Sequence, residues 1–285
     1  MGFGRFHVHI HAGLLLFLSS VVLCCVVGAA DKNYLLSPTV NPDGELYVAD
    51  RNLPGIWKIA DGELKPFFQG SKKFRTPLNA VRCLATDEKG TLLAGDTATR
   101  QIYRFGDSGK PDPLLKNPAG LGIPMSIAVD RNGTIFVADL ETHRIWKVPS
   151  AGGEPVEFVT VPAPRGLTFD SDGRLWVVSH GKNQLLRVSA DGELEPVVRN
   201  RPFRFPHNVV IDQQHVAYVS DGYARTIWKV DESGEVQAWI SGDPLVNPVG
   251  LAWSGEKLVI VDPQAKAVFE ADQDGNITTV AAATD

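Results

Sequence analysis

"VDRNGTIFVADLETHRIWKV" occupies residues 129–148, and "IDQQHVAYVSDGYARTIWKV" occupies 211–230. Each has a tight turn, an apolar run ending on Asp, and a Trp seven residues beyond that Asp. Aligned on this Asp, the chain contains six copies, anchored at Asp50, Asp96, Asp139, Ser179, Asp221 and Asp262 and repeating every 40 to 46 residues. Six positions after each anchor stands an aliphatic residue (Ile56, Ile102, Ile145, Leu185, Ile227, Val268), and the next is Trp57, Tyr103, Trp146, Leu186, Trp228 or Phe269. Upstream, Asn41, Asp87, Asp130, Asp170 and Asp212 lie nine residues before their anchors, and Ser254 lies eight before Asp262. Turns such as "NPDGE", "DEKGT" and "DSDGR" follow these markers, where Gly tolerates positive φ and Asp or Asn bonds its own backbone.

The runs flanking these turns ("SIAV" and "TIFVA", "GLTF" and "RLWVV", "NVVI" and "VAYV") are too short for helices and rich in β-branched and aromatic residues, so they read as strands. Their near-continuous apolarity implies burial on both faces. A third strand ("RIWKV", "QIYRF") and a fourth ("EPVEFVT", "EVQAWIS") complete each copy. Four antiparallel strands per repeat of this length predict an all-β, six-bladed β-propeller of four-stranded antiparallel blades. The expected blades are 34–75, 76–119, 120–162, 163–203, 204–244 and 245–285. Two closures of the ring are open: residues 31–36 add to the last blade, or residues 276–283 meet the first blade through side-chain packing alone.

The first thirty residues differ from the rest. Residues 1–13 carry one Arg and no acid, residues 14–27 are apolar apart from Ser19 and Ser20, and small residues precede Asp31. This predicts a secretory signal peptide over 1–30, cut near Ala29 or Ala30, and hence an exported protein, periplasmic or extracellular, with no stable membrane insertion after cleavage. A retained anchor is the competing expectation, but the apolar stretch falls short of the roughly 20 residues that span a bilayer. Cleavage would remove Cys24 and Cys25 and leave Cys83 as the one cysteine, a small buried hydrophobe with no disulfide partner. With 44% hydrophobic and 21% charged residues the composition is that of a globular protein. The formal net charge of −5, without a Lys/Arg cluster, speaks against a nucleic-acid partner.

"SIAVDRNGTIFVADLETHRIWKV", "GLTFDSDGRLWVVSHGKNQLLRV" and "NVVIDQQHVAYVSDGYARTIWKV" resemble the NHL repeat, and the chain from about Tyr34 onward resembles NHL-type six-bladed propellers. That family includes ligand-binding and protein-interaction modules, sensors and an amidating lyase. The related SMP-30/gluconolactonase-like propellers share the six blades and hold a metal in the central channel. The resemblance implies one divalent cation, Ca or Zn, with Asn208 and Asp221 matching two of its ligands. The acid that those relatives carry on the first inner strand has no counterpart in "LLSPTV", and Asn79 is only a loose match to a further ligand. A lyase-type zinc site needs several histidines, of which only His180 and His207 approach one face; His143 occupies the "HRI" position of the repeat itself, and His215 falls in an outer-end turn.

Strand order places the anchors and the residues five before each marker on one face. The latter are Leu36, Arg82, Met125, Arg165, His207 and Val249, at the mouth of the channel. The ring Asp50, Asp96, Asp139, Ser179 and Asp262, together with Asp221, reads as structural, capping loops through backbone amides. Arg82 and Arg165 stand where the other copies are mostly apolar. They either pair with ring carboxylates or, with His207, bind an anionic small-molecule ligand through their planar forks. Two functions follow: a ligand-binding or protein-interaction module working through this mouth, or a metal-dependent hydrolase of lactonase type with Asp221 and His207 as catalytic candidates.

Overall fold

The computed structural model describes residues 33–283 except 54, 74 and 107, together with residues 1, 2 and 4. The chain divides into two units, residues 1–30 and 31–285. Apart from residues 1, 2 and 4, the leader expected over 1–30, with its cleavage point, Cys24 and Cys25, lies outside the described residues. Among the described residues no helix is long and apolar enough to cross a membrane.

The second unit is an all-β propeller of six four-stranded antiparallel sheets, each made from four consecutive strands. The innermost strands are Leu35–Val40, Val81–Thr86, Pro124–Val129, Pro164–Phe169, Pro206–Ile211 and Gly250–Ser254. The second strands, Leu46–Asp50, Leu92–Asp96, Ile135–Asp139, Leu175–Ser179, Ala217–Asp221 and Lys257–Asp262, each end on an anchor. Five of the six are buried at every residue, and the last departs only at Lys257, so the apolar runs identified in the sequence are the covered middle of each blade. The third strands are Gly55–Ala60, Gln101–Phe105, Arg144–Val148, Leu185–Val188, Thr226–Val230 and Ala267–Ala271. Outermost are Glu63–Gln69, Pro111–Pro113, Val156–Thr160, Leu194–Val198, Val236–Ser241 and Ile277–Ala282.

The turns between first and second strands need the left-handed backbone, and Gly44, Gly90, Gly133 and Gly173 supply it with φ of 78° to 82°. Blades adhere through six apolar clusters, one at every junction. The junction of blades two and three, for example, buries Cys83, Leu93, Ile102, Ile127, Ile135 and Val137. Residues 35–40 form the inner strand of blade one, paired with Leu46–Asp50, and so do not extend blade six. The ring closes through side chains instead, with Leu35, Leu46 and Val48 against Val259, Val261 and Val268. Gly250 makes this seam possible. A Cβ there would stand 2.2 Å from the Leu36 carbonyl oxygen and 2.4 Å from Pro38 Cδ.

Candidate functional site: the basic mouth of the channel

Each anchor is fully buried and works on backbone. The Asp139 carboxylate accepts from the amides of Gly122 (2.7 Å), Ile123 (3.0 Å), Glu141 (3.0 Å) and Thr142 (3.2 Å), and from Trp146 Nε1 (3.0 Å). Asp221 accepts from the amides of Arg204 (2.7 Å), Phe205 (2.9 Å) and Ala224 (3.1 Å) and from Trp228 Nε1 (3.3 Å). Asp50 takes the amides of Tyr34, Asn52 and Leu53 with Trp57 Nε1, and Asp262 takes those of Val246, Asn247, Gln264 and Ala265. Asp96 binds the Ala80 and Ala98 amides and the Thr99 hydroxyl. Ser179 donates to the Pro162 carbonyl and accepts from the Gly181 amide. The anchors therefore tie the loop entering each blade to the loop leaving its second strand.

One residue into each of the first five inner strands the ladder is interrupted. The register slips between Leu35 and Pro38, Val81 and Cys83, Pro124 and Ser126, Pro164 and Leu167, and Pro206 and Asn208. The skipped residues include Leu36, Arg82, Met125, Arg165 and His207. A bulge leaves its residue unpaired and re-aims the side chain, and here Leu36, Arg82, Met125 and His207, with Val249 of blade six, line a cavity of about 160 Å³ at the head of the channel. Tyr34, Arg51, Asn208 and Asn247 complete its polar wall. Arg165 stands beside it with its guanidinium 5.0 Å from the centre of the Phe205 ring.

The mouth is cationic and short of partners. Among the described residues no carboxylate pairs with Arg51, Arg82 or Arg165, because the nearby anchors are committed to amides, and the buried Arg165 Nε has no hydrogen-bond partner. Burial lowers the pKa of Arg82, with the charge of Arg51 adding to it, and burial and then Arg82 do the same to Arg165. His207 is pushed down to about 3 by burial, Arg165, His180 and Arg82, in that order. Its imidazole is thus neutral at physiological pH, and neither ring nitrogen bonds to the protein among the described residues. His180 differs in that its Nε2 lies 2.7 Å from the Pro206 carbonyl oxygen; burial lowers its pKa as well.

The residues expected to hold a divalent cation do not fit one. Asp221 has both oxygens occupied by four donors, and Asn208 Oδ1 accepts from the Val209 amide at 2.7 Å. Asn79 lies outside the channel, its Nδ2 donating to the Ser71 carbonyl at 2.7 Å. Cations rather than carboxylates face the cavity, which opposes the oxygen-rich cage that calcium takes. Among the described residues no group of three or more His, Cys, Asp or Glu side chains is placed to hold a metal ion.

Several residues of the mouth escape inspection of the sequence. Tyr34, Phe205 and Asn247 share one register, two positions before Leu36, His207 and Val249, and each donates its amide to its blade's anchor. That shared offset is the signal that could have found them. Arg51 follows Asp50 directly. Phe205 is an aromatic hub, with the rings of His180 at 4.5 Å, His207 at 5.0 Å and Tyr223 stacked at 4.6 Å.

Comparison with known proteins agrees with this architecture. The chain is 22% identical over 241 residues to peptidyl-glycine alpha-amidating monooxygenase B of Xenopus laevis, covering 73% of this chain and 28% of the relative. It spans only about a quarter of the length of the curated relatives it matches. Among solved structures, a gluconolactonase from Xanthomonas campestris superposes with a TM-score of 0.71 at 16% identity, over 88% of this chain and 87% of the other. Virginiamycin B lyase from Staphylococcus aureus gives 0.66 at 20% identity, over 86% and 83%. The model of the SMP-30/gluconolactonase/LRE-like region matches residues 29–211. With that match over most of its length, and six blades closed around one channel, the chain belongs to the SMP-30/gluconolactonase/LRE-like family.

Proposed function

We propose that the protein binds a small anionic ligand at the mouth of its channel, with Arg82 and Arg165 as the anion-holding groups and His207 as a neutral acceptor beside them. The observation that carries this reading is the pair of half-buried guanidiniums without carboxylate partners in a chain of net charge −5. Desolvated cations that leave a partner position open are costly unless a ligand fills it, and the planar fork favours carboxylate or phosphate. A ligand that binds only the folded state raises the unfolding midpoint. Millimolar acetate, gluconate or phosphate should therefore raise the midpoint of the purified protein, and Arg82→Gln with Arg165→Gln should abolish the shift. An unchanged shift in the double variant would sink the proposal.

Family membership and the gluconolactonase likeness favour a second reading, hydrolysis of a lactone at the same mouth. In it, neutral His207 accepts a hydrogen bond from the attacking water and orients it, Arg82 stabilises the charge developing on the carbonyl oxygen, and the water proton passes to the ring oxygen as the ester bond opens to the hydroxy acid. No step is assigned to Asp221, whose lone pairs serve the fold. A lactone panel followed by proton release tests this: activity lost in His207→Gln supports it, and activity insensitive to that change refutes it. Elemental analysis of the purified protein tests the cation, with one calcium or zinc per chain, lost in Asn208→Ala, restoring a metal to the mechanism.

A further inference from the structure

The space at the channel mouth is uneven in chemistry, and this narrows the ligand. The part lined by Arg82, about 160 Å³ and open to solvent, is smaller than the roughly 300 Å³ at which ordinary small-molecule pockets begin. It suits the charged head of a ligand, and the remainder reaches either the channel below, lined with Ser37, Ser126 and Asn208, or the rim. At the rim the polarity reverses on one side. Tyr223, 68% exposed, stacks on Phe205 with ring centres 4.6 Å apart and planes 21° from parallel. Val246 is 40% exposed on the neighbouring loop. The two loops touch, since a Cβ on Gly222 would stand 2.1 Å from Asn247 Oδ1 and 3.1 Å from His207 Nε2. Of the large hydrophobic side chains exposed on the described propeller, these two stand on loops that meet at the mouth, while Val156 and Leu194 lie on outermost strands. An aromatic ring left exposed and already stacked offers a flat apolar face without the entropy cost of ordering it.

We propose that the ligand is an aryl carboxylate, its carboxylate held at Arg82 and Arg165 and its ring laid against Tyr223 and Val246 on the rim of blades five and six. This rests on the anion-binding reading and deepens it. A sugar acid, the product of a gluconolactonase, would use the arginines and leave the rim uncovered.

Calorimetric titration of the purified full-length protein with 3-phenylpropanoate, gluconate and 3-phenylpropanamide separates the cases. The expected result is binding of 3-phenylpropanoate about tenfold tighter than gluconate, the stacking and apolar burial corresponding to ~1.4 kcal/mol. The neutral amide should bind weakly, and Tyr223→Ala should bring 3-phenylpropanoate close to gluconate while Tyr223→Phe retains it. Tyr223 is exposed, so these variants should fold, which circular dichroism checks. Gluconate binding as tightly as 3-phenylpropanoate, with both lost in Arg82→Gln, overturns the aryl class and leaves anion binding intact. Equal binding of amide and acid, or binding of neither anion at millimolar concentration, overturns both.

Discussion

At the scale of single residues, the anchors and their aromatic partners vary together in five of the six copies, while Asp262 stands with the apolar Phe269 and bonds backbone amides. Where the anchor is Asp and the residue seven positions on is Trp, the indole Nε1 reaches the carboxylate: Trp57 to Asp50, Trp146 to Asp139, Trp228 to Asp221. In blade two, Tyr103 reaches Asp96 through the Thr99 hydroxyl. In blade four both polar partners change, and Ser179 stands with the apolar Leu186. Burial opposes the charge on Asp139, but its hydrogen bonds outweigh that and hold the carboxyl below the usual carboxylate range. Asp139→Ala strands four amides and leaves the Trp146 indole only the Thr142 hydroxyl, and should cost roughly 3 kcal/mol in denaturant unfolding, well beyond an ordinary surface change. His207 works in the opposite direction of charge. Its folded pKa of about 3 lies below the ordinary histidine value of 6.5, so the unfolded chain binds the proton more readily between those values. Stability from this residue is complete above pH 6.5 and is lost as pH falls toward 3. His207→Gln should flatten the acid limb of unfolding in that window, and an unaltered limb would show that His207 is not held neutral.

At the scale of the strand, a repeated irregularity puts chemistry where regular pairing would not. Inner strands run up the channel with alternating sides, yet in the first five blades the slipped register near the strand start releases one residue toward the mouth. Arg82 and His207 line the cavity from such positions, while Cys83, one residue later, is buried, its Sγ 3.6 Å from the Pro124 carbonyl oxygen and its thiol pushed up to about 12 mainly by burial. Close approach of inner strands is equally demanding. Gly250→Ala sets a methyl against the Leu36 carbonyl of the neighbouring blade, where backbone cannot yield cheaply. It should destabilise by about 3 kcal/mol, whereas Gly106→Ala, with open space around it, should leave the unfolding midpoint nearly unchanged.

At the scale of the molecule, the junctions are unequal. Among the described residues, the seam between blades six and one buries six apolar side chains, against ten or eleven at each of the other five. No strand crosses it among the described residues, so closure depends on packing alone. Sub-global opening starts where buried contacts are fewest. Amide exchange should therefore be fastest, among buried strands, in Leu46–Asp50 and Lys257–Asp262 and slowest in Ile135–Asp139 and Leu175–Ser179. Uniform protection around the ring would contradict this.

The repeat of turn, anchor and aromatic residue determined the blade, the count of six and the capping role of the ring, because each is a local pattern in which one Asp serves the loops next to it. Arg82, Arg165 and His207 were legible as residues that break that pattern. Tertiary structure alone decided what surrounds them. Arg51, Tyr34, Phe205, Asn247 and Tyr223 come from five different connecting segments, and only the closing of the ring brings those segments to one rim. The fate of Asp221 was decided the same way. A carboxylate in the sequence is equally a metal ligand or a cap, and only the positions of the Arg204, Phe205 and Ala224 amides show that its lone pairs are spent on the fold.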